Sequence, residues 1–264
     1  MHKSITRYCG SGALVLLALL LSGGCTALRS ASGDHAAESP LATTPWTQSS
    51  AGGHAPVWRH YKLPGKQPSL FRYMRHDGRN AMAVNSESSA SMLRHAVRRE
   101  PAELTSVRFS WQVPELIAQA DMALREGDDS PVRIVLVFEG DRSKFSQKNT
   151  LLSELARTLT GEELPYATLM YVWCNTRPAG SVIVNPRTDR IRKLVVESGA
   201  GRLKQWVDYE RDIRADYQEV FGEEPGALVG IGIMSDSDNT RSKVKAWYGP
   251  VTLGTVPRLM DPAL

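Results

Sequence analysis

Two short acidic stretches hold the residues best suited to chemistry. In GDDSPVR, Asp128 and Asp129 stand just before an apolar run that carries Arg133. In MSDSDNTR, Asp236, Asp238 and Asn239 follow another apolar run that ends at Met234. Alternating Asp and Asn oxygens in a tight loop suit a hard cation such as calcium, so Asp236, Asp238 and Asn239 are candidate metal ligands. The full EF-hand pattern is missing, and a pair of Asx turns accounts for the same residues without a metal. Both stretches flank strand ends, so Asp236 and Asp238 are expected to meet Asp128 and Asp129 on one rim of the domain. A third set follows Trp206, where a predicted helix places Asp208, Asp212 and Asp216 on one face at four-residue spacing, with Arg211 and Arg214 nearby. That set is either a solvated face laced with ion pairs or a cluster reaching into a cleft. Trp206 and Tyr209 beside it are candidates for stacking on a sugar ring.

Other chemistries find little support. There is no GxxxxGK[ST] phosphate loop, no GxSxG nucleophile elbow and no HExxH zinc helix. His60, His76 and His95 are scattered without ligand spacing. Cys174 closes the aromatic run YVWC with no histidine beside it, which fits a small packed hydrophobe better than a thiolate nucleophile.

The elements that must position these residues are mostly strands. Val107, Phe109, Trp111 and Val113 alternate with polar neighbours, the period of a strand with one buried face. VRIVLVFE (132–139) is almost continuously apolar, hence covered on both faces. Segments 168–173, 181–184, 191–196, 227–234 and 243–253 are further strands, and WRHYKL, SLFRY and AMAVNS are shorter ones. Only two helices are predicted, one through Leu151, Leu152, Leu155 and Leu159 ending at Gly161, the other ending at Gly222. Many strands with two short helices predict a mainly β protein, a jelly-roll-like antiparallel β-sandwich over residues 57–257, with a tail at 258–264.

The N-terminal stretch has the layout of a lipoprotein signal peptide. Lys3 and Arg7 precede an apolar run from Ala13 to Leu21, and small residues lead into Cys25. Residues 1–24 are the expected leader and Cys25 the lipidation site, anchoring the chain in a lipid bilayer. Ser22 stands where the usual lipobox has its Leu. No Asp follows Cys25, so in a cell with two membranes the outer one, facing the periplasm, is the expected location. Residues 25–56 are rich in Ala, Ser, Thr, Gly and Pro and read as a flexible tether. The chain holds 32 basic and 28 acidic side chains, and losing Lys3 and Arg7 with the leader brings these closer to balance. Net charge therefore gives no support to nucleic-acid binding, and RHAVRR (94–99) is expected on a solvated edge or loop.

Several blocks together resemble the bacterial family numbered 3047 among the domains of unknown function. They are SASML, FSWQV, GDDSPVRIVLVF, LMYVW, VVESG, RDIRADYQEVFGEEPG and GIGIMSDSDNTRSKVKAWYG. The resemblance covers about 57–253 and implies no assigned reaction. The last block is also similar, at the level of fold, to the closing strands of jelly-roll carbohydrate-binding modules. Three functions remain open. A non-catalytic module would bind a glycan or other envelope component. An assembly lipoprotein would bind another protein through a flat apolar patch. A polysaccharide-acting enzyme would use two of Asp128, Asp129, Asp212, Asp216, Asp236 and Asp238, set about 5–10 Å apart.

Overall fold

A computed structural model describes residues 39–50 and 57–255. The leader, Cys25 and the tail at 258–264 lie outside the described residues. The chain runs β1 (Ser39–Pro40), α1 (Pro45–Ser49), β2 (Arg59–Lys62), β3 (Leu70–His76), β4 (Arg79–Glu87), β5 (Ala90–Arg99), β6 (Ser106–Gln112) and β7 (Ser130–Phe138). It continues with α2 (Gln147–Thr160), β8 (Ala167–Cys174), β9 (Val182–Val184), β10 (Ile191–Ser198), β11 (Trp206–Asp212), α3 (Ile213–Phe221), β12 (Leu228–Asp236), β13 (Lys243–Tyr248) and β14 (Thr252–Leu253).

These strands form two packed sheets, so the protein is mainly β and a sandwich. The larger sheet has eight strands in the order β1-β2-β5-β12-β7-β8-β10-β9, and the smaller has β11-β6-β13-β4-β3 with β14 beside β6. Inward residues alternate along each strand as the pleat requires. Val107, Phe109 and Trp111 of β6 meet Ile134, Leu136, Tyr171 and Ile233 of the larger sheet in one core. One pair departs from the antiparallel expectation: β10 runs parallel to β8. The chain reverses twice after β8, placing β9 at the sheet edge and returning β10 between the two.

Two local expectations are corrected, and a third is narrowed. Residues 206–212, read as helix, form β11 paired along β6 from Trp206 to Asp212. Val207 is buried while Asp208 and Glu210 are exposed, so the two-residue period prevails until Asp212 caps α3. RHAVRR is the end of β5: it pairs with β12, β2 reaches only to Arg94, and none of residues 94–99 is buried, so it is a solvated strand edge and not a loop. The stretch read as tether is docked over residues 39–50. Thr44 caps α1 in a capping box with Pro45 at the first turn. Trp46 is fully buried against Trp58, ring centroids 4.8 Å apart, and its indole N–H donates to the Tyr248 carbonyl at 2.9 Å. One large aromatic with a satisfied donor supplies the burial that the flanking small residues lack. Cys174 is buried and free on the outer side of the larger sheet, packed with Val172 and Val195.

Replacing Trp46 with Ala should cost about 3–5 kcal/mol in urea unfolding of the domain. An unchanged midpoint would mean that this segment is not part of the folded unit.

Candidate functional site

The two acidic stretches meet at one end of the larger sheet, on its outer face. Arg133 points outward from β7 beside Met234 of β12, and Asp236 lies two residues on. The Arg133 guanidinium donates to both Asp236 carboxylate oxygens, at 3.0 and 2.9 Å, and to Asp128 Oδ1 at 3.1 Å. Lys193, on β10, donates from Nζ to the same Asp128 oxygen at 2.7 Å and to the Met122 carbonyl at 2.9 Å. All four side chains are buried, and their formal charges cancel. A buried charge is tolerated only when paired and hydrogen-bonded, and this arrangement meets both conditions. Tyr248 ties the cluster to the smaller sheet: its hydroxyl accepts from the Arg133 backbone N–H at 3.1 Å and donates to the Met234 carbonyl at 2.5 Å.

Burial pushes the Asp236 carboxyl up to about 7, with Asp128 and Asp129 adding to the shift against the pull of Arg133. Burial works the same way on Asp128, but there the charges of Arg133 and Lys193 outweigh it and hold the carboxyl below its ordinary value. Burial and the neighbouring guanidinium bring the Lys193 ammonium down to about 8.

Asp129 does a different job. It accepts from the Asn239 and Thr240 backbone N–H groups at 3.2 and 2.7 Å, from Asn239 Nδ2 at 2.9 Å and from the Thr240 hydroxyl at 2.6 Å. It therefore clasps the 237–242 loop onto the start of β7. Asp238 pairs with Lys66. Carboxylate oxygens of Asp129, Asp236 and Asp238 come within 4.8 Å of one another. Asp129 accepts four bonds and Asp236 three from N–H and O–H donors, and Asn239 Nδ2 donates to Asp129 and to the Asp128 carbonyl. A calcium ion here would compete with these donors for the same oxygens, so the acidic loops are accounted for without one.

The remaining sequence candidates lie elsewhere and do not converge. Asp208 is exposed in a bidentate pair with Arg79, at 2.6 and 3.1 Å. Asp212 caps α3 by accepting from the Ala215 N–H at 3.0 Å. Asp216 is buried, accepting from the Tyr171 hydroxyl at 2.8 Å and from Arg211 Nε at 2.9 Å. Tyr209 faces the core, 5.1 Å from the Phe109 ring, and donates to Glu197 at 2.7 Å. Trp206 is half-buried against Trp247 under the Arg79 guanidinium, 5.1 Å from its ring. Its face is occupied by a neighbour, so neither aromatic offers an open stacking platform.

What the sequence reading missed is the groove that the charged cluster closes at one end. It runs along the outer face of the larger sheet, with a volume of about 1930 Å³. Its floor follows the register Arg133–Met234, Val135–Gly232 and Val137–Gly230, with Met170 opposite Val135 and Thr168 opposite Val137. The glycines keep it deep: a Cβ on Gly232 would come within 3.0 Å of the Leu93 carbonyl oxygen. Beside the cluster it is lined by Lys66, Arg125, Asp238 and Asn239; the other end is lined by α2 and by Asn185 and Arg187 of the turn that Thr188 fastens to Asn149 of α2. The signals were present but weak. Lys193 follows Arg192 in an otherwise apolar run, where one of the two must point to a buried partner, and the two glycines sit where β12 should carry outward side chains.

Arg133→Met should destabilise the domain by about 3–5 kcal/mol, because it leaves Asp128 and Asp236 buried without their shared cation. A loss below 1 kcal/mol in denaturant unfolding would show the cluster to be dispensable. The pH dependence has a definite sign. The unfolded chain holds the Lys193 proton up to about pH 10, whereas the folded chain releases it near 8. Stability should therefore rise across that window by the Lys193 contribution, and the rise should be absent in Lys193→Met. Equal slopes for the two proteins would refute the assignment.

No curated protein matches the chain in sequence. Among solved structures, the chain is similar to the xyloglucanase domain of NopAA, a type three effector from Sinorhizobium fredii in complex with cellobiose. The identity is 9%, the match covers 75% of this chain and 94% of that one, and the TM-score is 0.38. It is also similar to SGBP-B from a complex xyloglucan utilization locus in Bacteroides uniformis. There the identity is 10%, the coverage is 76% of this chain and 57% of that one, and the TM-score is 0.29. At these values neither likeness says what this chain binds. The family match is of another kind, for it spans residues 56–252 and with them every element from β2 to the start of β14. The chain belongs to the family described as protein of unknown function DUF3047.

Proposed function

We propose that this is a lipid-anchored envelope protein, tethered through Cys25, whose groove binds the saccharide part of an envelope component without cleaving it. The observation that supports this is the groove itself, long and open along the strands and lined by polar groups over much of its length. Lys66, Asn185, Asp238 and Asn239 offer fixed donors and acceptors there. Asn185 is held by Asp128 at 3.0 Å, so the charged cluster beneath acts as a rigid base. Directional polar groups around a deep, pre-formed surface are what saccharide hydroxyls require.

Hydrolysis fits less well. Glycoside cleavage needs one carboxyl free to donate a proton and a second to act as base or nucleophile across a cleft. Asp128 and Asp236 are tied to Arg133, Asp129 is consumed by its loop and Asp238 is paired with Lys66. Asp212 and Asp216 belong to α3 and do not line the groove.

Calorimetric titration of residues 39–264 against a panel of envelope oligosaccharides should find a binder whose affinity falls about tenfold or more in Asp238→Ala, through loss of a charged hydrogen-bonding group. Product analysis should show the sugar intact. Saccharide cleavage would overturn the non-catalytic reading, and no binding from any member of the panel would overturn the saccharide one.

A further inference from the structure

One side of the sandwich is built from sequence that carries cations and no carboxylate. Residues 39–50 and 57–76 include Arg59, Lys62, Lys66, Arg72 and Arg75 but neither Asp nor Glu. They form β1, β2 and β3, which the fold gathers along one edge. β1 and β2 end the larger sheet and β3 ends the smaller one. The two edges meet where the His60 ring of β2 stands 5.5 Å from the Phe71 ring of β3. Lys62, Arg72 and Arg75 are exposed and have no ion pair among the described residues. The acids that adjoin this edge are engaged: Asp238 pairs with Lys66, and Asp77, in the turn after β3, accepts from Gln112 at 3.1 Å.

Charges are the usual guard of a sheet edge against pairing with another chain. A guard needs no apolar side chains, yet Leu70 and Met74 flank Arg72 on the outer face of β3 and are 70% and 38% exposed. Lys245 of β13 adds a cation to that face, for it lies in register with Asn85, and Asn85 with Leu70. Cations interleaved with exposed apolar side chains suit the boundary of an anionic bilayer, where headgroups take the charges and the acyl region takes the apolar ends. The chain's own attachment brings this edge to such a surface. β1 begins at Ser39, in register with His60, and residues 26–38 alone separate it from Cys25. Extended, that stretch spans at most about 45 Å, so an anchor at Cys25 holds the edge at high effective concentration over the bilayer. We propose that the edge formed by β1, β2 and β3 docks on the anionic lipid headgroups of the membrane that holds the anchor, with Leu70 and Met74 entering the interface. This rests on the reading of Cys25 as the lipid anchor and names the face that the anchored protein turns to its membrane.

The test uses the chain without its leader and with Cys25→Ser, so that no acyl group contributes. Its probes are phosphatidylcholine vesicles with and without phosphatidylglycerol. Co-sedimentation should show binding to the anionic vesicles alone, weakening as salt is raised. Lys62→Gln, Arg72→Gln and Arg75→Gln should each lower the partition coefficient about fivefold. Leu70→Ser should lower it too while leaving the salt dependence and the thermal midpoint unchanged, because that side chain is already in solvent. Equal binding to both vesicle types, or binding to neither, would overturn the proposal. Soluble polyglutamate binding as tightly as the anionic vesicles would assign the edge to an acidic protein and overturn it as well. Dimerisation abolished by Leu70→Ser, without vesicle binding, would assign the edge to a second copy of the chain. Mass spectrometry of Cys25 in the native chain separates this proposal from the anchor it rests on. A lipidated Cys25 with no vesicle binding by the Cys25→Ser chain keeps the anchor and removes the docking edge. Vesicle binding with an unmodified Cys25 supports the docking edge and removes the anchor.

Discussion

A guanidinium taken out of water must be met by counter-charge and by acceptors for its N–H groups, and Arg133 imposes that demand in the middle of an eight-stranded sheet. Asp236 comes to it from the end of β12, Asp128 from the turn before β7, and Asp128 in turn requires Lys193 from β10. One ionic requirement therefore ties β10, two strands away from β7, to the paired ends of β7 and β12. The energetic gain over an apolar core is small, since desolvation offsets most of the attraction. The consequence is geometric. With Asp128 held, Asn185 is held, and with Asp129 beside it clasping the 237–242 loop, these polar parts of the groove lining become rigid.

This explains why acidic stretches that look like a metal site in sequence are, in the fold, acceptors for backbone and side-chain donors. Alternating Asp and Asn oxygens are equally what a loop needs to bond its own backbone and what calcium needs to be surrounded. The deciding fact is the number of N–H and O–H donors that reach the same oxygens. Those donors come from Arg133, Ser130, Asn239 and Thr240, and only the fold brings β7 and the 237–242 loop together.

The sandwich was legible because its strongest signals are local. The alternation at Val107, Phe109 and Trp111 and the apolar run at 132–138 each determine a strand without reference to partners. Segment 206–212 misled for a physical reason: its acidic residues recur every fourth position, which fits a helix face and the outer face of a strand alike. Pairing with β6 decides between them, and pairing is not local. Trp46 was overlooked because composition averages over a window, while one buried tryptophan can order a segment of small polar residues. The groove was invisible in sequence because a surface made by glycines, and by leucines that fail to pack, leaves the same trace as an ordinary strand and helix.

The leucines of α2 bear most directly on what the groove is for. A helix whose apolar stripe merely completes a core buries that stripe, and its surface lysines and glutamates carry the solvent contact. In α2 the buried positions are an asparagine and a serine. Had the helix been free to settle, its leucines would have collapsed onto Val135, Val137 and Met170, since nothing in their chemistry opposes that contact. Polar anchors at 149 and 153 and the Arg94–Glu162 pair beyond its end hold it off the sheet. Keeping apolar surface wet costs free energy in the unliganded protein, and that cost is recovered only when something apolar fills the gap.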